Sequence, residues 1–415
     1  MYSRDSIVSI HPFTRQREGE EIVIGIAETG VFLAVPPEAV EVLDLLAEGK
    51  SVGEVADLYF QGSGEASDLY DLLSYLETKG FVGRQDARRA DEKRSDYPVR
   101  ENRFHFSTFP QPLAKLLFSL PVLMCEAAVV GLALAAVLTR HALMPIPTDL
   151  VFYHQRAVSW TLLTIFTYGG IFVHELAHLI AARSVGVNSR MGISHRLWYL
   201  VAETDLTGLW SVPRNQRYLP MLAGMIIDIT VLSLIVLLLL CQDLRLFMLS
   251  SFSLHLLRAM AFTNLMRILW ECFLFVRTDL YFVAMTFLNC KNLLTDTQVF
   301  LHNQLSRVTS RIRTVDQSAI PKTERRAIRI YAAVFLAGRA WAFVTLFWVT
   351  MPVAAGYWGS LIPALRDGYS VNPSNFIDSL AAATYFLVPT VAGFVFWAGA
   401  LMRPKESEKW QSSIS

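Results

Sequence analysis

The sequence predicts a mainly α-helical protein with about six transmembrane helices and a small N-terminal winged-helix-like α+β domain. The chain has 415 residues, of which 53% are hydrophobic. Six of its apolar segments are each longer than the ~20 residues that are needed to cross the hydrocarbon core of a membrane. The first 83 residues differ, because they combine alternating apolar positions, which are typical of strands, with short amphipathic helical stretches.

The N-terminal domain, residues 1–83, is predicted from turn and helix signals. A β-hairpin is expected over Glu20 to Val35, with its turn at Glu28-Thr29-Gly30. A helix then begins at Pro36-Pro37 and stops at Gly49, and Ser51 can cap the helix that follows. A third helix and a short strand complete the domain, so the predicted order is strand, strand, three helices and strand.

The rest of the chain is divided by charge and hydropathy. Residues 84–111 form a charged linker, residues 112–402 a transmembrane domain, and residues 403–415 a cytoplasmic tail. The predicted spans are 112–138, 157–183, 218–241, 246–276, 328–355 and 376–402. Basic residues are concentrated after the second and fourth spans and in the tail, which makes the segment 280–327 and both termini cytoplasmic by the positive-inside rule.

Composition narrows the choice of partners. The formal net charge is only +1, which implies no general attraction to nucleic acid, and the lipid bilayer is the partner that the apolar spans require. The four cysteines are scattered and form no paired spacing, so they indicate apolar packing rather than a disulfide framework.

The most informative motif is His174-Glu175-Leu176-Ala177-His178, inside the second predicted span. Two histidines four residues apart lie on one face of a helix and can bind one zinc ion. Glu175 between them is placed to act as the general base on the water that the metal activates. Because ionisable groups are costly inside a membrane, the motif predicts a metal site at membrane depth.

A catalytic zinc site needs a third protein ligand. Asp279, at the cytoplasmic end of the fourth span, and Asp228, in the third span, are the two main candidates, and Glu271 is a weaker one. Arg267 stands four residues before Glu271 and can pair with it on the helix surface.

The fourth predicted span is unusually polar. Asn264, Arg267 and Glu271 share one helical face, which together with Asp228 is expected to line the cavity of the site. An internal polar network that holds helices together is an equal alternative. His255 and Arg258 share another face of the same helix.

These motifs resemble the site-2 protease family of intramembrane zinc metalloproteases. The resemblance rests on the HELAH motif, on Gly224 in an Ala-Gly-x-x-x-Asp segment, and on a later aspartate near a span end. It implies that His174, His178 and Asp279 bind Zn²⁺ and that Glu175 is the general base. Leu280 stands where the family has glycine after the aspartate, and no proline follows Asn264.

The N-terminal domain is similar to the PqqD-like peptide-recognition fold of ribosomal-peptide biosynthesis. This resemblance rests on the strand pair, on Gly49-Lys50-Ser51-Val52 before the second helix, and on the ending Gly80-Phe81-Val82. It implies that a precursor or leader peptide is recruited through the Glu20 to Val35 hairpin and cut near the cytoplasmic face of a bacterial inner membrane, with a membrane-fusion or export protein as a further candidate partner.

Two alternatives to this function stay open at this stage. The first is a regulatory intramembrane protease that cuts a membrane-anchored protein. The second is a non-catalytic component of peptide export or a scaffold, in which a closed zinc site would only stabilise the fold.

Overall fold

A computed structural model describes residues 2–26, 31–59, 66–84, 104–106, 109–196, 199–290, 292–307, 314–318 and 320–402. The described chain is mainly helical and includes a small N-terminal region of strands, in agreement with this part of the predicted fold class. It divides into two compact units. The first comprises Met1–Lys115, Leu179–Gly192 and Thr204–Pro220, and the second comprises Leu116–His178, Ile193–Glu203 and Met221–Ser415.

The N-terminal strands form two small sheets. Strand β1 (Val8–Ile10) pairs with β5 (Val82–Arg84), and β2 (Thr14–Glu18), β3 (Glu21–Ile26) and β4 (Val31–Val35) form an antiparallel sheet in that order. The predicted hairpin is β3 and β4, with Ile26 opposite Val31, while its turn residues 28–30 lie outside the described residues. Strand β2 was not predicted, because its sequence Thr-Arg-Gln-Arg-Glu is polar at every position.

Three helices cover this region: α1 (Pro37–Ala47), α2 (Val52–Tyr59) and α3 (Ala66–Thr78). The predicted cap of α2 is confirmed, because the Ser51 hydroxyl accepts a hydrogen bond from the Glu54 N–H at 3.2 Å and the Glu54 carboxylate accepts one from the Ser51 N–H at 2.8 Å. The Ser51 N–H and then the Ser51 hydroxyl, which both donate to the Glu54 carboxylate, hold its pKa below the ordinary value. Gly49 follows α1 with a φ of 91°, which only glycine adopts readily.

A buried ion pair in the first unit joins the sheet to a distant part of the sequence. The guanidinium of Arg217, 1% exposed, contacts the carboxylate of Glu18 at the end of β2. Its Nε donates to the Val212 carbonyl at 2.9 Å, and its Cζ lies 4.7 Å from the centre of the Trp210 ring. Residues 207–211 form a short 3₁₀ helix that contacts β2, β3 and β4.

Ten further α-helices are described between residues 111 and 402. They are α4 (Gln111–Leu117), α5 (Leu120–Thr139), α6 (Arg156–Ser184), α7 (Arg214–Asp243), α8 (Ser251–Glu271), α9 (Asp279–Leu288), α10 (Leu293–Ser306), α11 (Lys322–Thr345), α12 (Met351–Asp367) and α13 (Pro373–Met402). A π-helical turn, Leu346–Thr350, connects α11 to α12. The carboxylate of Asp378 in α13 accepts hydrogen bonds from the backbone N–H groups of Arg156 and Ala157, so it caps the first turn of α6.

Four helices of the described residues are long and apolar enough to cross a membrane: Gln111–Thr139, Arg156–Ser184, Arg214–Asp243 and Glu324–Asp367. They correspond to the first, second, third and fifth predicted spans, so the prediction of six is shown only in part. Helix α8, at the fourth predicted span, is not among them, and it carries Arg258, Arg267 and Glu271 within 21 residues. Helix α13 covers the last predicted span but is also outside this set.

The predicted linker and the segment between the second and third predicted spans hold additional strands. Of the linker 84–111, residues 85–103 and 107–108 lie outside the described residues, as does the tail 403–415. Phe104–Phe106 forms β6, which joins β7 (Arg190–Arg196) and β8 (Tyr199–Asp205) in a three-stranded sheet that was not predicted. The predicted cytoplasmic segment 280–327 contains most of α9 and all of α10.

Candidate metal centre

The two histidines of the HELAH motif lie one helical turn apart on α6 and point to the same place. Their Nε2 atoms are 3.1 Å apart. His174 is 8% exposed and His178 is 2% exposed, so both imidazoles are buried in the second unit. Each neutral imidazole nitrogen carries either a proton or a lone pair, and when both Nε2 atoms carry lone pairs at this separation, a shared cation satisfies both.

Asp279 supplies the third atom of the cluster. It is the first residue of α9, and its Oδ2 lies 3.0 Å from Nε2 of His174 and 2.8 Å from Nε2 of His178. In a tetrahedral site with metal–ligand bonds of about 2.0 Å, ligand atoms are about 3.3 Å apart. The three observed separations are close to this value, so the donor set fits a small metal ion that prefers nitrogen and oxygen ligands.

Asp228, the alternative third ligand, lies on the other side of His174. Its Oδ2 is 3.0 Å from Nδ1 of that ring, and its side chain is fully buried. The same carboxylate accepts two hydrogen bonds from Arg267, at 2.9 Å from Nε and 2.5 Å from Nη2. A carboxylate in this pairing accepts a hydrogen bond from Nδ1–H and so leaves the Nε2 lone pair directed at the cluster.

The polar face of α8 supports Asp228. The side chain of Asn264 donates to the Asp228 carbonyl at 2.7 Å and accepts from Arg267 at 2.6 Å. Arg267 therefore binds Asp228 on α7 rather than the expected Glu271 on its own helix. The reason is that the Asp228 carboxylate is fully buried and needs a charged partner. The structure places Asn264 and Arg267 behind Asp228, in the polar network that was the alternative to a cavity lining.

Glu271 acts on the other side of the cluster. Its carboxylate accepts a hydrogen bond from the backbone N–H of Asp279 at 3.0 Å, and its carbonyl accepts one from the Thr278 hydroxyl at 2.9 Å. The first N–H groups of a helix have no partner within the helix, so Glu271 satisfies one of them at the start of α9. It thereby fixes the residue that carries the third ligand atom.

Gly224 on α7 makes room for the cluster. A Cβ atom at this position would lie 2.4 Å from Nε2 of His174 and 2.5 Å from Nε2 of His178. Gly170 plays a related part on α6, because a Cβ there would lie 2.0 Å from Nη1 of Arg267. Only glycine fits at either position without displacing these groups.

Glu175 follows His174 on α6 and is half-buried. It is therefore the carboxylate adjacent to the cluster that was predicted as the general base. His255 and Arg258, on the other polar face of α8, serve the fold instead: Nε2 of His255 lies 3.0 Å from the Asp149 carbonyl, and Arg258 donates to the Ala142 carbonyl at 3.0 Å.

A second group of ligand-type side chains was not anticipated. Cys290, Asp296 and Glu324 have ligand atoms within 4.8 Å of one another. Burial, and then the nearby Glu324 carboxylate, raise the pKa of the Cys290 thiol to about 12, and Sγ donates to that carboxylate at 3.5 Å. The thiol is held protonated and acts as a hydrogen-bond donor.

The predicted peptide-binding hairpin is constrained by the unexpected strand β2. Because β3 lies between β2 and β4, it has no open edge, and β4 pairs on one side only among the strands that the structure describes. An added strand would therefore meet the Glu20 to Val35 region at β4.

No protein-family model, curated protein or solved structure matches the chain. The interpretation of this centre therefore depends on its own geometry.

Proposed function

We propose that this chain is a zinc-dependent intramembrane endopeptidase. The observation that carries the proposal is the convergence of His174 Nε2, His178 Nε2 and Asp279 Oδ2 within 3.1 Å of one another, beside Glu175 on a helix long and apolar enough to cross a membrane. A bound zinc ion would supply Lewis acidity to a peptide carbonyl and activate water for its hydrolysis.

The side chains of this chain would perform the remaining work. Glu175 accepts the proton of the attacking water at its carboxylate and transfers it to the leaving amine. Asp228, held by two hydrogen bonds from Arg267, keeps the Nδ1 proton of His174 in place and so maintains the Nε2 lone pair. Glu271 keeps the start of α9 fixed, which orients Asp279.

The proposed setting is the inner membrane of a bacterium, with both termini cytoplasmic. A precursor or leader peptide would add as a strand to the free edge of β4 and be cut near the cytoplasmic face. The distribution of basic residues supports the orientation, and the single-sided pairing of β4 supports the mode of recruitment.

The test uses the full chain in lipid nanodiscs, fluorescein-labelled casein and a library of quenched peptides. We expect about one zinc per chain and cleavage that a chelator abolishes. Glu175→Gln should keep the zinc and lose cleavage, His178→Ala should lose both, and Glu38→Gln, an exposed change of the same kind on α1, should lose neither. Zinc binding without any cleavage by the natural sequence would favour the scaffold alternative.

Recruitment is tested separately. A cleaved peptide from the library, added to the Glu175→Gln variant, should slow hydrogen exchange of the β4 backbone amides, Val31–Val35. Unchanged exchange at β4 would refute recruitment by strand addition there and leave the peptidase proposal standing.

A further inference from the structure

Glu126 is an ionisable residue that the proposed mechanism does not use. It lies in α5, within the apolar candidate span Gln111–Thr139, in the sequence Leu-Met-Cys-Glu-Ala-Ala-Val. Placing a carboxyl group at such a position is costly, and an intramembrane ionisable residue generally marks a pathway or a site.

The Glu126 side chain points to the packed side of α5. Ala133 and Val137 follow Glu126 by two and three helical turns and so lie on the same stripe of α5. Ala133 is buried, and Val137 belongs to a hydrophobic cluster that includes residues of α7. The opposite stripe is exposed and includes Met124. The Oε2 atom of Glu126 is closed off from the surface and has no hydrogen-bond partner among the described residues.

Helix geometry gives the depth of Glu126. Arg140, at the end of α5, forms an ion pair with Asp243, at the end of α7. Glu126 precedes Arg140 by fourteen residues and Asp228 precedes Asp243 by fifteen, which at ~1.5 Å per residue places them ~21 and ~22 Å from this meeting point. Glu126 is thus at the level of Asp228, and Asp228 contacts His174.

The other carboxylates at this level already have partners. Asp228 is bound by Arg267 and His174, and Asp279 lies against both histidines. By contrast, the Oε2 atom of Glu126 is buried and forms no hydrogen bond to any described residue. In a medium of low dielectric constant, an ionised carboxylate without a counter-ion is costly, and a cation delivered by a ligand would supply the counter-ion.

We propose that Glu126 is a specificity-determining residue that binds a lysine or arginine side chain of the peptide while the scissile bond lies at the metal centre. This inference rests on the proposed peptidase function. It requires that the cleft occupied by the peptide extend from the metal centre to the inner side of α5, and it assigns Glu126 to binding rather than to the reacting atoms.

The first test measures access and does not depend on activity. Glu126→Cys and Leu134→Cys, the second at an exposed position of α5, are made in full-length chains in which the natural cysteines are replaced by alanine: Cys125, Cys241, Cys272 and Cys290. A hydrophilic cationic thiosulfonate should modify Glu126→Cys in nanodiscs and not Leu134→Cys. A zinc-chelating peptide hydroxamate should protect the thiol of Glu126→Cys from this modification, whereas acetohydroxamate should not. No modification, or no protection, overturns the proposal.

The second test measures specificity with peptide pairs that differ by lysine or glutamine at one position. The natural sequence should prefer lysine at one position, and Glu126→Gln should lose roughly thirtyfold in kcat/KM on the lysine peptide, the lower end for removing one partner of a buried charge pair. Its kcat/KM on the glutamine peptide should not change. A merely structural role of Glu126 would instead lower kcat/KM on both peptides.

The two tests separate the failures. If the natural sequence cuts no peptide, the peptidase proposal fails, and protection of Glu126→Cys by the hydroxamate still decides whether Glu126 lines the peptide cleft. If it cuts peptides and Glu126→Gln keeps the lysine preference, the assignment of Glu126 is wrong and the peptidase proposal stands.

Discussion

Replacing Gly224 with alanine should strongly weaken metal binding while leaving the fold intact. The added Cβ would lie 2.4 and 2.5 Å from the Nε2 atoms of His174 and His178, whereas ordinary contacts begin near 3.4 Å. The two nitrogens would have to retreat by about 1.0 and 0.9 Å, several times the ~0.2 Å tolerance of a zinc–ligand distance. We therefore expect zinc affinity to fall by roughly 100-fold or more.

The stability of the metal-free protein should change much less. Overpacking costs about 1–3 kcal/mol, and replacing glycine by alanine within a helix returns about 1 kcal/mol. The net loss in the free energy of unfolding is therefore about 0–2 kcal/mol. A chain that keeps its fold and loses its metal is the signature that separates this clash from general misfolding.

The assay is a zinc competition titration against a chromophoric chelator, together with Tm in the presence and absence of EDTA. The natural sequence should lose thermal stability when EDTA is added, because a metal that binds only the folded state stabilises it, and Gly224→Ala should not. Gly169→Ala is the matched control, since a Cβ at that position of α6 meets nothing within 4 Å. Zinc binding by Gly224→Ala within about threefold of the natural sequence would refute the proposed packing, because the clash predicts a loss near 100-fold.

Three further predictions follow from the contacts of the centre and its surroundings. Asp228→Asn should weaken zinc binding by about 10- to 100-fold and lower the free energy of unfolding by about 3–5 kcal/mol, because Arg267 stays buried without its partner; equal stability in a denaturation assay would contradict this. Glu271→Ala should weaken zinc binding through loss of the Asp279 N–H acceptor, whereas Glu271→Gln, which keeps an acceptor oxygen, should restore it in the same titration. Cys290 should react slowly with iodoacetamide in the folded chain, and its rate should still rise ~tenfold per pH unit from pH 7 to 9 without a plateau, because its pKa is raised to about 12; rapid labelling by mass spectrometry, or a plateau in that range, would be inconsistent with this environment.

The local parts of this structure could be predicted from sequence, because their causes are local. The Ser51 and Glu54 cap and the stop at Gly49 depend on residues within one helical turn. The placement of His174 and His178 on one face depends only on helical periodicity. Strand β2 has no such signal, since its polar side chains form a strand only because β3 offers an edge to pair with.

The rest of the centre depends on tertiary contacts. Asp279 reaches the histidines from about a hundred residues away, and no periodicity in the sequence distinguishes it from Asp228. Asp228 on α7 lies beside Nδ1 of His174, whereas Asp279 on α9 lies beside Nε2. Likewise, Arg267 has acids both on its own helix and on α7; the fully enclosed Asp228 carboxylate needs a charged partner, whereas the Glu271 carboxylate already accepts from the Asp279 N–H.

The two glycines that make room in the centre give it a sequence signature. Gly170 stands four residues before His174, and Gly224 stands four residues before Asp228, so each of α6 and α7 carries a Gly-x-x-x-polar unit. Each glycine admits a group delivered by another helix, and neither can be replaced without moving that group. Distant relatives that build the same centre should therefore show the paired units Gly-x-x-x-His-Glu-x-x-His and Gly-x-x-x-Asp, followed by an arginine in a later helix, even where nothing else in their sequences can be aligned.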